Sequence, residues 1–219
     1  MTRSKTYLAA ATMAIVAMTS LALGTAVARP SDLDAAKAAT GRFHSLSVAG
    51  HAGYGLPPAG VPLHECISNG SLGAMGFHYI NGNLLDTTLD PTKPEALVYT
   101  PDAKGKLHLG ALEFVVFQDA WNTAHPGTMP MLFGQEFMPV DPAPGHNGLT
   151  VFDIPPFYML HVWLWNSNPS GLFKPWNPSV SCAGAAAALG SRTASGVANA
   201  TLASADVAKF ACRVPSAVG

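Results

Sequence analysis

YMLHVWLWNSNPSGLFKPWNPSVSC, residues 158–182, decides the fold. Tyr158 to Trp165 is dense in aromatic and β-branched residues, the composition of a strand. Alternation places Leu160, Val162 and Leu164 on one side and Met159, His161, Trp163 and Trp165 on the other. Both rows are mostly apolar, which predicts a central strand covered on both faces. A stiff loop follows, because Asn168-Pro169 and Asn177-Pro178 bracket Pro175 and each proline restrains itself and the residue before it. Cys182 closes the loop.

Upstream, three further strands are expected at Gly76–Asn81, Glu95–Thr100 and Lys106–Phe117. PDAKG, residues 101–105, joins the last two as a hairpin turn whose glycine can take a positive φ. In the first strand His78 and Ile80 share a side, with Phe77 and Tyr79 opposite. In the third, strict alternation puts Leu107, Leu109, Ala111, Glu113, Val115 and Phe117 in one row. Glu113 is thus an acid among apolar residues, and a buried carboxylate needs a partner, a metal or a proton.

Residues 31–54 read as a helix with Ser31 as cap and Asp32 and Asp34 in the first turn, although Gly41 weakens one continuous rod. His44 and His51 share a face, but no acid or cysteine is spaced to join them, so they read as polar surface groups. SNGSLGAMG, residues 68–76, lacks the lysine of a phosphate-binding loop and the spacing of a nucleophile elbow. Trp121–Asn147 reads as loop, with MLFGQEF at 131–137 as a short strand or an apolar lid. A short strand is expected at Leu149–Ile154. The fold class is α+β: an N-terminal helix packed on a mainly antiparallel sheet, rolled toward a partial barrel.

Residues 1–28 have the parts of a secretory leader: Arg3 and Lys5, an apolar run from Tyr7 to Leu23, and Ala26-Val27-Ala28 as cleavage site. The chain is therefore expected to be secreted or periplasmic. The globular domain is expected over 29–182, and 183–219, rich in Ala, Gly and Ser, as a loosely held tail with a short helix near 204–212. The full chain carries 12 Lys+Arg and 13 Asp+Glu. A cleaved leader would take two bases and no acid, leaving a balance of −3. No basic stripe recommends nucleic acid as a partner, and no later apolar run is long enough to span a bilayer. Export favours disulfides, and three cysteines allow one bridge. Cys66–Cys182 is preferred because both border the strand-rich part; Cys182–Cys212 is the alternative.

GAMGFHYIN at 73–81 and LHVWLWNSNPSGLFKPWNPSVSC at 160–182 resemble a group of exported bacterial proteins of unknown function, as do ATGRFH at 39–44 and PEALVYT at 94–100. That resemblance covers residues 31–182 and implies no particular activity. A fainter likeness is to the cupins, which hold metal in a β-barrel with His and Glu. The chain departs from them in lacking an H-x-H pair followed closely by Glu.

Three functional readings follow. His78, Glu113 and His161, each on a strand, supply the donor types of a three-ligand divalent metal site or an acid–base site. Tyr79, Trp163, Trp165 and Trp176, with Trp121 and Tyr158, would form an aromatic platform for a carbohydrate or apolar small molecule. A structural envelope protein is the non-catalytic alternative.

Overall fold

The structure, a computed structural model, describes residues 30–57, 63–141 and 154–194. The leader, most of the strand expected at 149–154 and the helix expected at 204–212 lie outside those residues. The architecture is α+β, with a curled six-stranded antiparallel sheet forming a half-barrel.

Helix α1 (Pro30–Thr40) runs into a 3₁₀ turn at Gly41–His44, and α2 (Leu46–His51) follows. The single helix expected over 31–54 is therefore interrupted. A Cβ at Gly41 would stand 3.4 Å from the Trp165 ring, so the backbone passes close to the sheet there. Ser45 restarts the helix by accepting from the Val48 N–H at 3.4 Å. Two buried hydroxyls tie this layer to the sheet. Tyr54 donates to the Pro94 carbonyl at 2.8 Å, and Tyr99 donates to the Phe43 carbonyl.

The strands are β1 (Ile67–Ser68), β2 (Ala74–Ile80), β3 (Ala96–Pro101), β4 (Leu107–Phe117), β5 (Met131–Leu132), β6 (Gln135–Glu136), β7 (Met138–Val140) and β8 (Phe157–Val162). The main sheet has the order β1-β2-β3-β4-β8-β7, so β8 is internal, as its two apolar rows require. The stretch expected to be loop over 121–147 carries more structure than its prolines suggest. It holds α3 (Gln118–Ala124), a β5–β6 hairpin turning at Phe133-Gly134, and β7. Asp102 shapes the β3–β4 turn by accepting from the Lys104 and Lys106 N–H groups, both at 2.9 Å.

One face of the sheet is the main core. Phe77, Leu97, Tyr99, Leu112, Phe114 and Leu160 pack there against Ala36, Phe43, Ala49 and Tyr54 of the helical layer. The opposite face carries smaller clusters around Val98 and Ala111, Met75 and Met159, and Ile80 and Ala96. The row expected along β4 is split between these faces. Tyr99 pairs with Leu109 but Val98 pairs with Ala111, so Gly110 is an extra residue, a bulge. One inserted residue reverses a two-residue period. Leu109 therefore joins the main core, while Ala111 and Glu113 face the other way. The Gly110 carbonyl, freed from the ladder, accepts from the Trp165 and Asn166 N–H groups at 3.0 and 3.1 Å and anchors the loop after β8.

That loop is built by its asparagines. Asn168 donates to the Lys174 and Trp176 carbonyls and accepts from the Ser170 N–H. Asn177 donates to the Ser167 carbonyl, and its backbone pairs with Ala74 of β2. The approach is so close that a Cβ at Gly73 would lie 2.0 Å from the Asn177 carbonyl oxygen. The Cys66–Cys182 disulfide, joining residues 116 apart, closes this end of the sheet. In the chain-entropy model a loop of that length contributes about 4–5 kcal/mol. A disulfide is compatible with an extracytoplasmic protein. No helix among the described residues is long and apolar enough to cross a membrane.

The segment after Cys182, expected to be loosely held, opens with α4 (Ala185–Ala194). Ala188 is buried in the main core, and the Gly184–Ala188 backbone lies against the β3–β4 turn near Gly105. Deleting everything after Ala183 is therefore expected to lower stability by about 2 kcal/mol, since Ala188 and partly buried Leu189 leave the core. Thermal denaturation measures this, and an unchanged midpoint would show that α4 contributes nothing.

Candidate functional site

The sheet register brings acids and imidazoles together on the face away from the helices. His78 pairs with Val98 and Val98 with Ala111, while Glu113 pairs with Ala96 on one side and His161 on the other. Cross-strand partners share a face, so His78, Glu113 and His161 all project the same way. The bulge at Gly110 fixes which way that is, because it sets the parity of Glu113.

Within the trio the contacts are unequal. His78 Nε2 donates to Glu113 Oε2 at 3.0 Å, and both side chains are buried. His161 is buried with neither ring nitrogen partnered, its ring 6.2 Å from that of His78 and 4.7 Å from that of Trp163. The three groups thus meet as a pair with a neighbour. Among the described residues no group of three or more His, Cys, Asp or Glu is placed to hold a metal ion. Of the three residues expected as a divalent metal set, His78 and Glu113 form a hydrogen-bonded pair, and the His161 ring lies 6.2 Å from that of His78.

A fourth group completes the site, and it is one that sequence reasoning passed over. Glu95, just ahead of β3, is only 2% exposed, and its Oε2 accepts from the Val115 N–H at 3.0 Å. In the sequence it stands only as the first residue of a strand. Counting outward from the Pro101–Leu107 pair without a bulge would have placed it opposite Glu113. Glu95, Glu113 and His78 line one cavity, whose walls include Met75, Ile80, Ala96, Val115, Phe157 and Met159. Its free volume is about 50 Å³, enough for about four waters or a compact molecule of a few heavy atoms at roughly 10–15 Å³ per water.

Environment sets the three titrating groups apart. Burial pushes the Glu95 carboxyl up to about 8, with nearby Asp86 and Glu113 adding to the rise against the Val115 hydrogen bond. Burial would also raise Glu113, but His78, by charge and by hydrogen bond, and His161 outweigh it and hold Glu113 below its ordinary range. Burial drives His161 down to about 4, against the pull of Glu113. At neutral pH the site therefore holds one ionised acid, one protonated acid and a neutral His161. Opposite shifts on two carboxyls in one cavity are the arrangement from which acid and base roles are made.

The aromatic residues do not converge. Tyr79 packs edge-on to Tyr99 in the main core. Trp163 lies on the opposite face and donates from Nε1 to the Lys174 carbonyl at 2.7 Å. Trp165 rests against Gly41 and His44 with the Lys37 ammonium 5.2 Å from its ring. Trp176 packs by Met75 and Met159. His161 also borders a second, wider hollow of about 370 Å³ between Gln135-Glu136 and the loop at 171–175.

Two consequences are measurable. Glu113→Gln keeps shape but strips the ionised partner from His78, so it is expected to cost about 3–5 kcal/mol in denaturant unfolding. A loss under about 0.5 kcal/mol would place Glu113 at a wet surface. Glu95 titrates higher folded than unfolded, so the stability it contributes is full below pH 4.5 and falls as pH rises toward about 8. Glu95→Gln should remove that decline, and an unaltered slope of stability between pH 5 and 8 would contradict it.

No family model, no curated protein and no solved structure matches this chain, so its chemistry is read from these side chains alone.

Proposed function

We propose that this is an exported binding protein for a small molecule with an apolar body and one polar group. The observation that carries the reading is a single apolar cavity into which the protein has placed Glu95, Glu113 and His78. Buried polar groups in an otherwise apolar wall orient a ligand and give it specificity. One oxygen of each carboxyl is committed within the protein, to Val115 or to His78. Export is supported by the leader-like start of the sequence and by the Cys66–Cys182 bridge.

The size of the cavity bounds the affinity. A ligand of five heavy atoms at the ceiling of roughly −1.5 kcal/mol per atom reaches about −7.5 kcal/mol, which is low micromolar. Saturation-transfer NMR with a panel of four- to six-heavy-atom alcohols, ketones, acids and amines tests the reading. At least one class is expected to bind at millimolar or better. Ala96→Leu, which fills the cavity from its wall, should abolish that binding. Binding by none of the classes, or binding that survives Ala96→Leu, would contradict the proposal.

A further inference from the structure

We infer that the wider hollow beside His161 is a site for one soft monovalent metal ion of the copper(I) class, held by the thioethers of Met138 and Met159 and by the His161 imidazole. The inference starts from His161 itself. It is 1% exposed, and neither ring nitrogen has a hydrogen-bond partner. A buried polar group left that way is costly, and a folded protein that keeps one needs a reason. Its neighbours supply one. Met138, Met159 and Glu136 line the same hollow of about 370 Å³ that His161 borders. This site stands independently of the small-molecule reading above, although Met159 lines both spaces.

The strand register puts the three donors in one block. Met138 on β7 is the direct cross-strand partner of Met159 on β8, so their Cβ atoms stand roughly 4.5–5.5 Å apart on one face. His161 follows Met159 by two residues and shares that face, about 7 Å further along the strand. Phe137 and Leu160 go to the main core, which fixes the parity of both strands. Two flexible thioether arms thus stand beside one imidazole held in the sheet. Met138 is 43% exposed, so its arm has room to swing and the ion has a way in. The donor set selects the ion. Thioether sulfur is a soft, uncharged ligand suited to copper(I), and imidazole also suits copper. Zinc takes thiolate, imidazole and carboxylate, and magnesium and calcium take oxygen. His161 is neutral at neutral pH, so it can ligate without first losing a proton. At the rim the exposed Glu136 and Lys174 carry opposite charges.

The test is NMR of the full chain with ¹³C-labelled methionine methyls and histidine rings, titrated under argon with tetrakis(acetonitrile)copper(I) and, separately, with zinc nitrate. Cys212, which the Cys66–Cys182 bridge leaves over, is replaced by Ser in every sample so that no thiol competes. One equivalent of copper(I) is expected to shift the methyls of Met138 and Met159 together with the His161 ring, and zinc to leave those methyls unmoved. Met138→Leu keeps the bulk of an exposed side chain and removes its sulfur. It should weaken copper(I) at least about tenfold in competition with bicinchoninate, with the thermal midpoint unchanged. Met159→Leu, a near-isosteric change in the sheet, should do the same. Shifts confined to exposed Met129 and Met131, which do not line the hollow, would overturn the inference. So would methionine shifts without a change at His161, full affinity in Met138→Leu, zinc binding as tightly as copper(I), or no binding at all.

Discussion

A carboxylate taken out of water must be given a partner, and the strand register gives Glu113 His78. The fold away from its helices is arranged around that provision. His78 comes from β2 and Glu113 from β4, with β3 between them. The strands need the right stagger for the two side chains to reach each other at 3.0 Å. Glu95, buried beside the charges of Asp86 and Glu113, stays protonated. His161, shut among Trp163 and the sheet without a partner for either nitrogen, stays neutral. The hydrogen bond keeps Glu113 ionised, while burial sets the protonation of Glu95 and His161 around it.

What holds the stagger is a set of backbone contacts at the ends of the strands. The bulge at Gly110 turns β4 by one position and sends its carbonyl to the loop after β8. That loop, framed by Asn168 and Asn177, runs back to pair with Ala74 at the start of β2. The segments 73–81 and 160–182, prominent as motifs in the sequence, are therefore the two sides of one contact. Gly73 is glycine because the Asn177 carbonyl leaves no room for a Cβ. The Cys66–Cys182 bridge fastens the same end. His78 lies a few residues along β2 from this anchorage, so the clamp also positions the site.

Much of this was legible in the residues. The PDAKG turn announced the β3–β4 hairpin, and the double apolar rows of 158–165 announced an internal strand. His78, Glu113 and His161 could be recognised as polar groups on covered strands, and they do project from one face. The pairing of Cys66 with Cys182 followed from where each borders the strands. The rest needed three dimensions. A bulge leaves no mark in a hydrophobic period except a glycine, so the row through Leu109 and Glu113 looked continuous. Glu95 looked like the polar start of a strand, because burial of a strand's first residue depends on what folds over it. The four aromatic candidates scattered because rows on a sheet say which face a ring takes, not which neighbours it meets. The helix at 185–194 was hidden by composition, since alanine and glycine pack by close backbone approach rather than by large apolar side chains.

The most direct measurement is a carboxyl ¹³C NMR titration of glutamates 95 and 113 in the folded protein. Glu95 should titrate near pH 8, and Glu113 should remain ionised to below the ordinary glutamate range. Two carboxyls titrating together near pH 4.5 would contradict the account, because neither would then be buried in a cavity that distinguishes them.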